Sequence, residues 1–252
     1  RPRRSELPEV ALMSRALARR VLPSGHVVVV RMSEIVDGDL AVNDPDGLLE
    51  ERRCSLEGAE SGESSWTWLN QTHGISVVTV EEPGGAAGSE ADAAITRYPG
   101  CVLSVQVADC APVALIADNG GLAVAHAGWR GVLGGILEEA SEALRSLVGG
   151  PQRAVVGPCI HPCCYEFGSE DLRRVVGVFS REVEAVTRDG HPALDLSAAV
   201  VASLEKAGVN DFEIDGACTS CDDRYWSHRA TGSGSRQAMV AVLTEGSGSD
   251  VA

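Results

Sequence analysis

Short apolar runs recur along the chain at His26–Met32, Ser76–Val80, Val102–Val107, Val113–Ala117, Leu122–Ala125, Ala154–Val156, Phe212–Ile214 and Ala238–Leu243. Their shortness and their content of β-branched residues predict strands. Helical spacing appears at Leu133–Leu147, Glu170–Glu184 and Leu196–Ala207. The last is bracketed by Asp195 and Gly208, as N-cap and C-cap chemistry favours. A further amphipathic helix is expected around Val10–Leu22, within the Arg-rich opening from Arg1 to Gly25. Strands crowd between residues 66 and 126 and the longer helices follow, which predicts a mixed sheet with helices on its faces rather than a regular βαβ alternation. Gly84 to Ser89 reads as an exposed loop. No repeat or long linker divides the chain, so one domain is expected over 1–252. Its ends, 1–25 and 245–252, are read as a surface helix or loose N-terminus and a loose tail.

Composition sharpens this picture without changing it. Apolar residues make up 44% and charged residues 23%, as in ordinary globular proteins. Aromatics are only 4%, so small aliphatic side chains must fill the core. A formal charge of −15 repels phosphate backbones and anionic lipid, which argues against nucleic acid or membrane partners. No run approaches the roughly 20 apolar residues of a bilayer span. Glu6 and Glu9, and the lack of an apolar leader segment, count against targeting, so a cytoplasmic location is expected. The eight cysteines, several of them inside apolar runs, then read as reduced, buried or metal-bound thiols rather than a disulfide framework.

Three segments carry candidate chemistry: Asn70 to Gly74, Ala108 to Pro112 and Ala125 to Gly131. Each places a borderline or soft ligand at a predicted strand end, namely His73, Cys110 and His126. Were the ends to converge, three protein ligands would leave one position open, the arrangement of catalytic zinc; Cys and His donors suit zinc or copper better than magnesium. On local pattern alone, packed side chains or a metal-free Cys110–His126 nucleophile–base pair remain alternatives. Arg130, at a predicted helix N-terminus, is a candidate anion contact. Cys159, Cys163, Cys164, Cys218 and Cys221 fall in two patches that could hold a structural zinc or an iron–sulfur cluster. The expectation preferred here is a cluster of structural thiols behind a Pro-bounded turn.

Taken together, the runs WLNQTHG, ADAAIT, ADCAPVALIAD, AHAGWRGVLGG, VGPCIHPCCYEFG, LDLSAAV, CTSC and the SHR…GSR ending closely resemble the YfiH-type family, from Trp66 to Val242. Its members have been labelled multicopper polyphenol oxidases or laccases, peptidoglycan editing factors and purine nucleoside phosphorylases. The resemblance implies an α/β (α+β) sandwich related to the catalytic domain of cytotoxic necrotizing factor toxins. It also implies zinc on His73, Cys110 and His126, with phosphorolysis of adenosine, inosine and methylthioadenosine and deamination of adenosine. One stretch departs from the family pattern. Val30 to Ile35 and Asp39 to Val42 replace a run with a double glycine, only Arg31 keeping its place, so a narrower substrate range or weaker activity is expected.

Phosphorolysis needs cations for phosphate, and Arg130 is the first candidate with Arg236 second. Deamination would need a carboxylate proton carrier; the H-x-E motif of base deaminases is missing, and Asp109 is the substitute. The expected partners are therefore a purine nucleoside and phosphate, with the chain a monomer or small homo-oligomer. A copper polyphenol oxidase, a Cys–His thiol hydrolase and a non-enzymatic partner of envelope or division machinery are the rival readings.

Overall fold

The computed structural model describes residues 14–43, 46–57 and 65–246, and its framework is two sheets packed face to face. The first sheet runs, in spatial order, Arg15–Val21, His26–Met32, Gln237–Glu245, Val102–Val107 and Trp66–Thr67. Its pairings are antiparallel except at the Trp66–Thr67 edge. The second runs Asp211–Ile214, Gln152–Val156, Ala111–Ala117, Gly121–Ala127, Ala93–Thr96 and Val77–Val80. Its centre is antiparallel and both of its edge strands are parallel to their neighbours. The mixed pairing is what the strand pattern predicted, and the two-sheet sandwich is what the family resemblance implied.

Side-chain alternation builds two cores from one sheet. Every residue of Ala111–Ala117 and Gly121–Ala127 is buried. Ala114, Ile116, Leu122 and Val124 point between the sheets, against Val30, Met32, Leu103, Val105 and Met239. Val113, Leu115, Ala123 and Ala125 point the other way, under the helices. The helix Ile136–Val148 buries Ile136, Leu137, Ala140, Ser141 and Leu144, a stripe of 3.6 periodicity. Leu196–Lys206 packs beside it, and the Asp195 carboxylate accepts the Ala198 N–H at 2.9 Å, the predicted N-cap. The outer face of the first sheet is covered by Leu40, Leu49 and Leu56, the last two on a helix, Leu49–Glu57, that the sequence pattern did not reveal.

Several expectations need correction. The predicted helix at Val10–Leu22 is a strand over Arg15–Val21, hairpinned onto His26–Met32. Ala18 and Leu22 enter the inter-sheet core, while Arg15 and Arg20 pair with Asp215 and Glu213. Tertiary pairing outweighs the weak helical periodicity there; residues 1–13 lie outside the described residues. The single helix expected over Leu133–Leu147 is two, Trp129–Gly134 and Ile136–Val148, divided at Gly135, whose φ of 98° suits only glycine well. Glu170–Glu184 is helical only over Ser169–Phe179 and ends in a short strand, Glu184–Val186. At the C-terminus the last strand runs through Glu245, and the rest of the expected tail, 247–252, lies outside the described residues.

Candidate active site

The chain passes from one sheet to the other within three residues, between Val107 and Ala111. That corner is sharp. Asp109 adopts φ 91°, a left-handed conformation costly for a residue with a Cβ. Its carboxylate offsets this by accepting from Thr219 Oγ1 at 2.8 Å and from the Arg229 N–H at 2.7 Å. The turn leaves Cys110 at one end of the sandwich. His126, on the inter-sheet face of the neighbouring strand, reaches the same point. His73 arrives from the loop after Leu69–Asn70, itself left-handed with φ 60°.

These three side chains converge, the condition on which the zinc reading of the sequence depended. Their donor atoms lie within 4.8 Å of one another. Cys110 Sγ is 3.9 Å from His73 Nε2, and the two imidazoles meet edge to face with centroids 4.7 Å apart. A tetrahedral zinc shell sets sulfur and nitrogen ligands about 3.6 Å apart, so only a slight contraction is needed. Gly128 makes room for the cluster. A Cβ there would stand 3.0 Å from Cys110 Sγ, 3.0 Å from His73 Cδ2 and 3.7 Å from His126 Cε1.

What holds the ligands is a residue that pattern reasoning did not single out, Asp92. Its buried carboxylate accepts from the backbone N–H groups of Thr72 at 3.1 Å, His73 at 2.9 Å and Gly74 at 2.7 Å. Thr72 Oγ1 adds a fourth bond at 3.1 Å, and His126 Nδ1 donates a fifth at 2.8 Å. One carboxylate thus fixes the loop bearing His73 and the tautomer of His126, leaving Nε2 of His126 free for a ligand. Burial would raise the Asp92 pKa, but His126 and these N–H groups outweigh it and bring it to about 2. For Cys110, burial opposes ionisation, yet the neighbouring His126 and His73 hold its pKa below the ordinary thiol value. His126 is correspondingly raised, burial being outweighed by Cys110 and Asp92. The signals in the sequence were an acid set among apolar residues in Ala91 to Ile95 and its place in the run ADAAIT that carries the family resemblance.

The cluster forms part of the wall of a cavity of about 410 Å³, lined also by Gln71, Gln106, Ala41 to Asn43 and Arg236. The segment that departs from the family pattern therefore does build one wall. Arg31 does not take part, because its guanidinium reaches the Ser14 carbonyl at 3.2 Å. Gln71 and Gln106 exchange hydrogen bonds between side chain and backbone at 2.7 and 2.8 Å, tying the His73 loop to the first sheet. Gln106 Oε1 is buried and has no partner among the described residues. Arg236 lines the cavity with Nη1 on the Ser235 carbonyl at 2.8 Å. Arg130 stands outside the lining, exposed, with its guanidinium 4.4 Å from the Trp129 ring centroid. The helix whose first turn carries it, Trp129–Gly134, has only six residues, so its dipole adds little. Asp109, with both oxygens engaged, faces away from the cavity. The sulfurs of Cys163, Cys164, Cys218 and Cys221 meet at a second point, and Cys159 instead faces Ser197 Oγ at 3.3 Å.

Among the described residues no helix is long and apolar enough to cross a membrane. A family model described as multi-copper polyphenol oxidoreductase laccase matches residues 33–244. The purine nucleoside phosphorylase of Streptomyces coelicolor is 35% identical over 210 residues, covering 81% of this chain and 86% of the relative. That of Deinococcus radiodurans is 34% identical over 204 residues, covering 80% and 79%. Among solved structures, YlmD from Geobacillus stearothermophilus is 25% identical with a TM-score of 0.75, covering 88% of this chain and 94% of its own. YfiH from Bacillus licheniformis, 20% identical, shares the fold with a TM-score of 0.75, over 89% and 98%. Sequence and fold agree, and the chain belongs to the YfiH-type family, the one whose model carries the laccase description.

Proposed function

We propose that this protein is a zinc-dependent purine nucleoside phosphorylase acting on adenosine, inosine or methylthioadenosine. The observation that carries the reading is the convergence of His73, Cys110 and His126 on a cavity of about 410 Å³, within the usual range for small-molecule sites. The names of the curated relatives point the same way. The donor set fits the metal: Asp92 holds His126 as the tautomer a metal needs, and Cys110 is already inclined to ionise. Zinc, when bound, supplies Lewis acidity at the cavity wall.

In phosphorolysis a phosphate oxygen bonds to the ribose C1′ while the bond from C1′ to the purine nitrogen breaks. The electron pair and a proton end on the purine. Arg236 in the wall holds phosphate as a forked donor, and Arg130, exposed outside the lining, is the second cation for it once its side chain swings off Trp129. Gln106, in the same wall, is the amide side chain placed nearest the purine. Deamination is the second activity, and the site suits it less. Asp109 has both oxygens engaged, and among the described residues no Asp or Glu lines the cavity. Two histidines and a thiolate also suit copper, which the family model's description names.

The test is product analysis on the three nucleosides with and without phosphate, beside metal analysis of wild type and Cys110→Ser. Ribose 1-phosphate (or its methylthio analogue) and free base should form only with phosphate, and the variant should lose both turnover and zinc. Activity that survives chelation but not thiol alkylation would favour the hydrolase, and copper with phenol oxidation would favour the laccase.

A further inference from the structure

Beyond the cavity, the most concentrated group of ligand atoms is the second set of cysteines. Cys163 and Cys164 lie on the short turn Pro162–Cys164; Cys218 and Cys221 lie on a tight turn in which the Cys221 N–H donates to the Cys218 carbonyl at 2.9 Å. All four sulfurs fall within 4.8 Å of one another. The separations are 3.6 Å for Cys163–Cys164, 3.9 Å for Cys163–Cys218, 3.7 Å for Cys163–Cys221 and 3.2 Å for Cys164–Cys221. A disulfide would need about 2.05 Å. Four thiolates around one tetrahedral zinc stand about 3.8 Å apart, given metal–sulfur bonds of about 2.3 Å. A multi-iron cluster puts its thiolates on separate irons and spreads them further.

We propose that Cys163, Cys164, Cys218 and Cys221 bind a second, structural zinc ion, distinct from the ion on His73, Cys110 and His126. Four protein ligands close the coordination shell, which is the arrangement of a structural site. Donors to the sulfurs are in place: the His161 N–H reaches Cys218 Sγ at 3.4 Å, and Arg188 Nη2 reaches Cys221 Sγ at 3.1 Å. Such donors stabilise an all-thiolate shell, and the Arg188 charge offsets part of its net negative charge. Cys221 is exposed, so a redox-inert ion suits the site better than ferrous iron.

Position explains what the ion does. Next to Cys218, the Thr219 N–H donates to the Cys159 carbonyl at 3.1 Å and Thr219 Oγ1 bonds Asp109. The Ile160 N–H donates to the Asp109 carbonyl at 2.9 Å. Both cysteine-bearing loops therefore brace the strained corner that aims Cys110 into the cavity. The ion clamps those loops together.

Full-length protein, purified under reducing conditions without chelator, should hold two equivalents of zinc by mass spectrometry. Cys163→Ser and Cys221→Ser should each keep one, and Cys110→Ser should keep the other. One equivalent in wild type, lost in Cys110→Ser, would overturn the proposal; so would a disulfide within the cluster or iron in place of zinc. Should the cysteine variants fail to fold, cobalt exchange into wild type and Cys110→Ser still decides. Five thiolate–cobalt bonds are expected in wild type and four in the variant, so about four-fifths of the sulfur-to-cobalt charge-transfer absorption should remain. Loss of nearly all of it in Cys110→Ser would leave no metal on the four cysteines.

Discussion

Replacing Asp92 by Asn tests the organisation of the site most directly, because volume is kept while one acceptor becomes a donor. The carboxylate accepts five hydrogen bonds, two on Oδ1 from the His73 N–H and His126 Nδ1, and three on Oδ2 from the Thr72 N–H, the Thr72 hydroxyl and the Gly74 N–H. Whichever way the amide is turned, its NH₂ faces backbone donors. If it faces Oδ2's partners, two N–H groups lose their acceptor. If it faces Oδ1's partners, the His73 N–H is orphaned and His126 must shift its proton to Nε2, the nitrogen a metal needs. Each buried donor left without a partner costs about 1–3 kcal/mol. Loss of an outer-sphere partner weakens metal binding by about 10- to 100-fold. Asp92→Asn should therefore lower the metal-free protein's urea stability by about 1–3 kcal/mol. It should also weaken zinc binding by one to two orders of magnitude in competition with a calibrated chelator. The wild-type pH dependence offers a check. The carboxyl is depressed from 3.8 to about 2, so it stabilises the fold above its unfolded pKa, and that contribution fades as pH falls from about 4 through about 2. Its size is about 2 kcal/mol at 1.36 kcal/mol per pH unit. Asp92→Asn should flatten that part of the acid-unfolding profile. A variant with wild-type zinc affinity and an unchanged acid limb would refute the role given to Asp92.

Three further outcomes are expected. Gly128→Ala places a methyl 3.0 Å from both Cys110 Sγ and His73 Cδ2, and the overpacking of about 1–3 kcal/mol should appear mainly as weaker metal binding; unchanged zinc affinity would mean the corner yields more easily than its hydrogen bonds suggest. Arg236→Lys and Arg130→Lys should each cost about 1–3 kcal/mol in kcat/KM for phosphorolysis with zinc content unchanged, and full activity in either would remove that residue from the phosphate site. Asp195→Ala removes the cap on the Ala198 N–H and should cost about 1 kcal/mol in urea unfolding without touching kcat; a stability within a few tenths of wild type would show that the helix end finds another acceptor.

The sequence alone determined those features that local chemistry controls. Apolar runs located the central strands, and His26–Met32 and Val102–Val107 match to the residue because burial on a pleated sheet selects β-branched side chains. Asp195 and Gly208 marked a helix because capping is a matter of a few neighbouring bonds. His73, Cys110 and His126 were legible as ligand types at strand ends, and the family resemblance grouped them. Tertiary structure decided everything that depends on partners distant in the chain. Arg15–Val21 is a strand only because His26–Met32 offers it an edge and Asp215 and Glu213 receive its arginines. Asp92 acquires its role only when the loop at Thr72 to Gly74 folds over it, which no spacing in the sequence records. Cys163 and Cys164 meet Cys218 and Cys221 across more than fifty residues of chain, where irregular spacing hid a compact group of four sulfurs. Periodicity reports which face of an element is buried; it carries no information about which distant element does the burying.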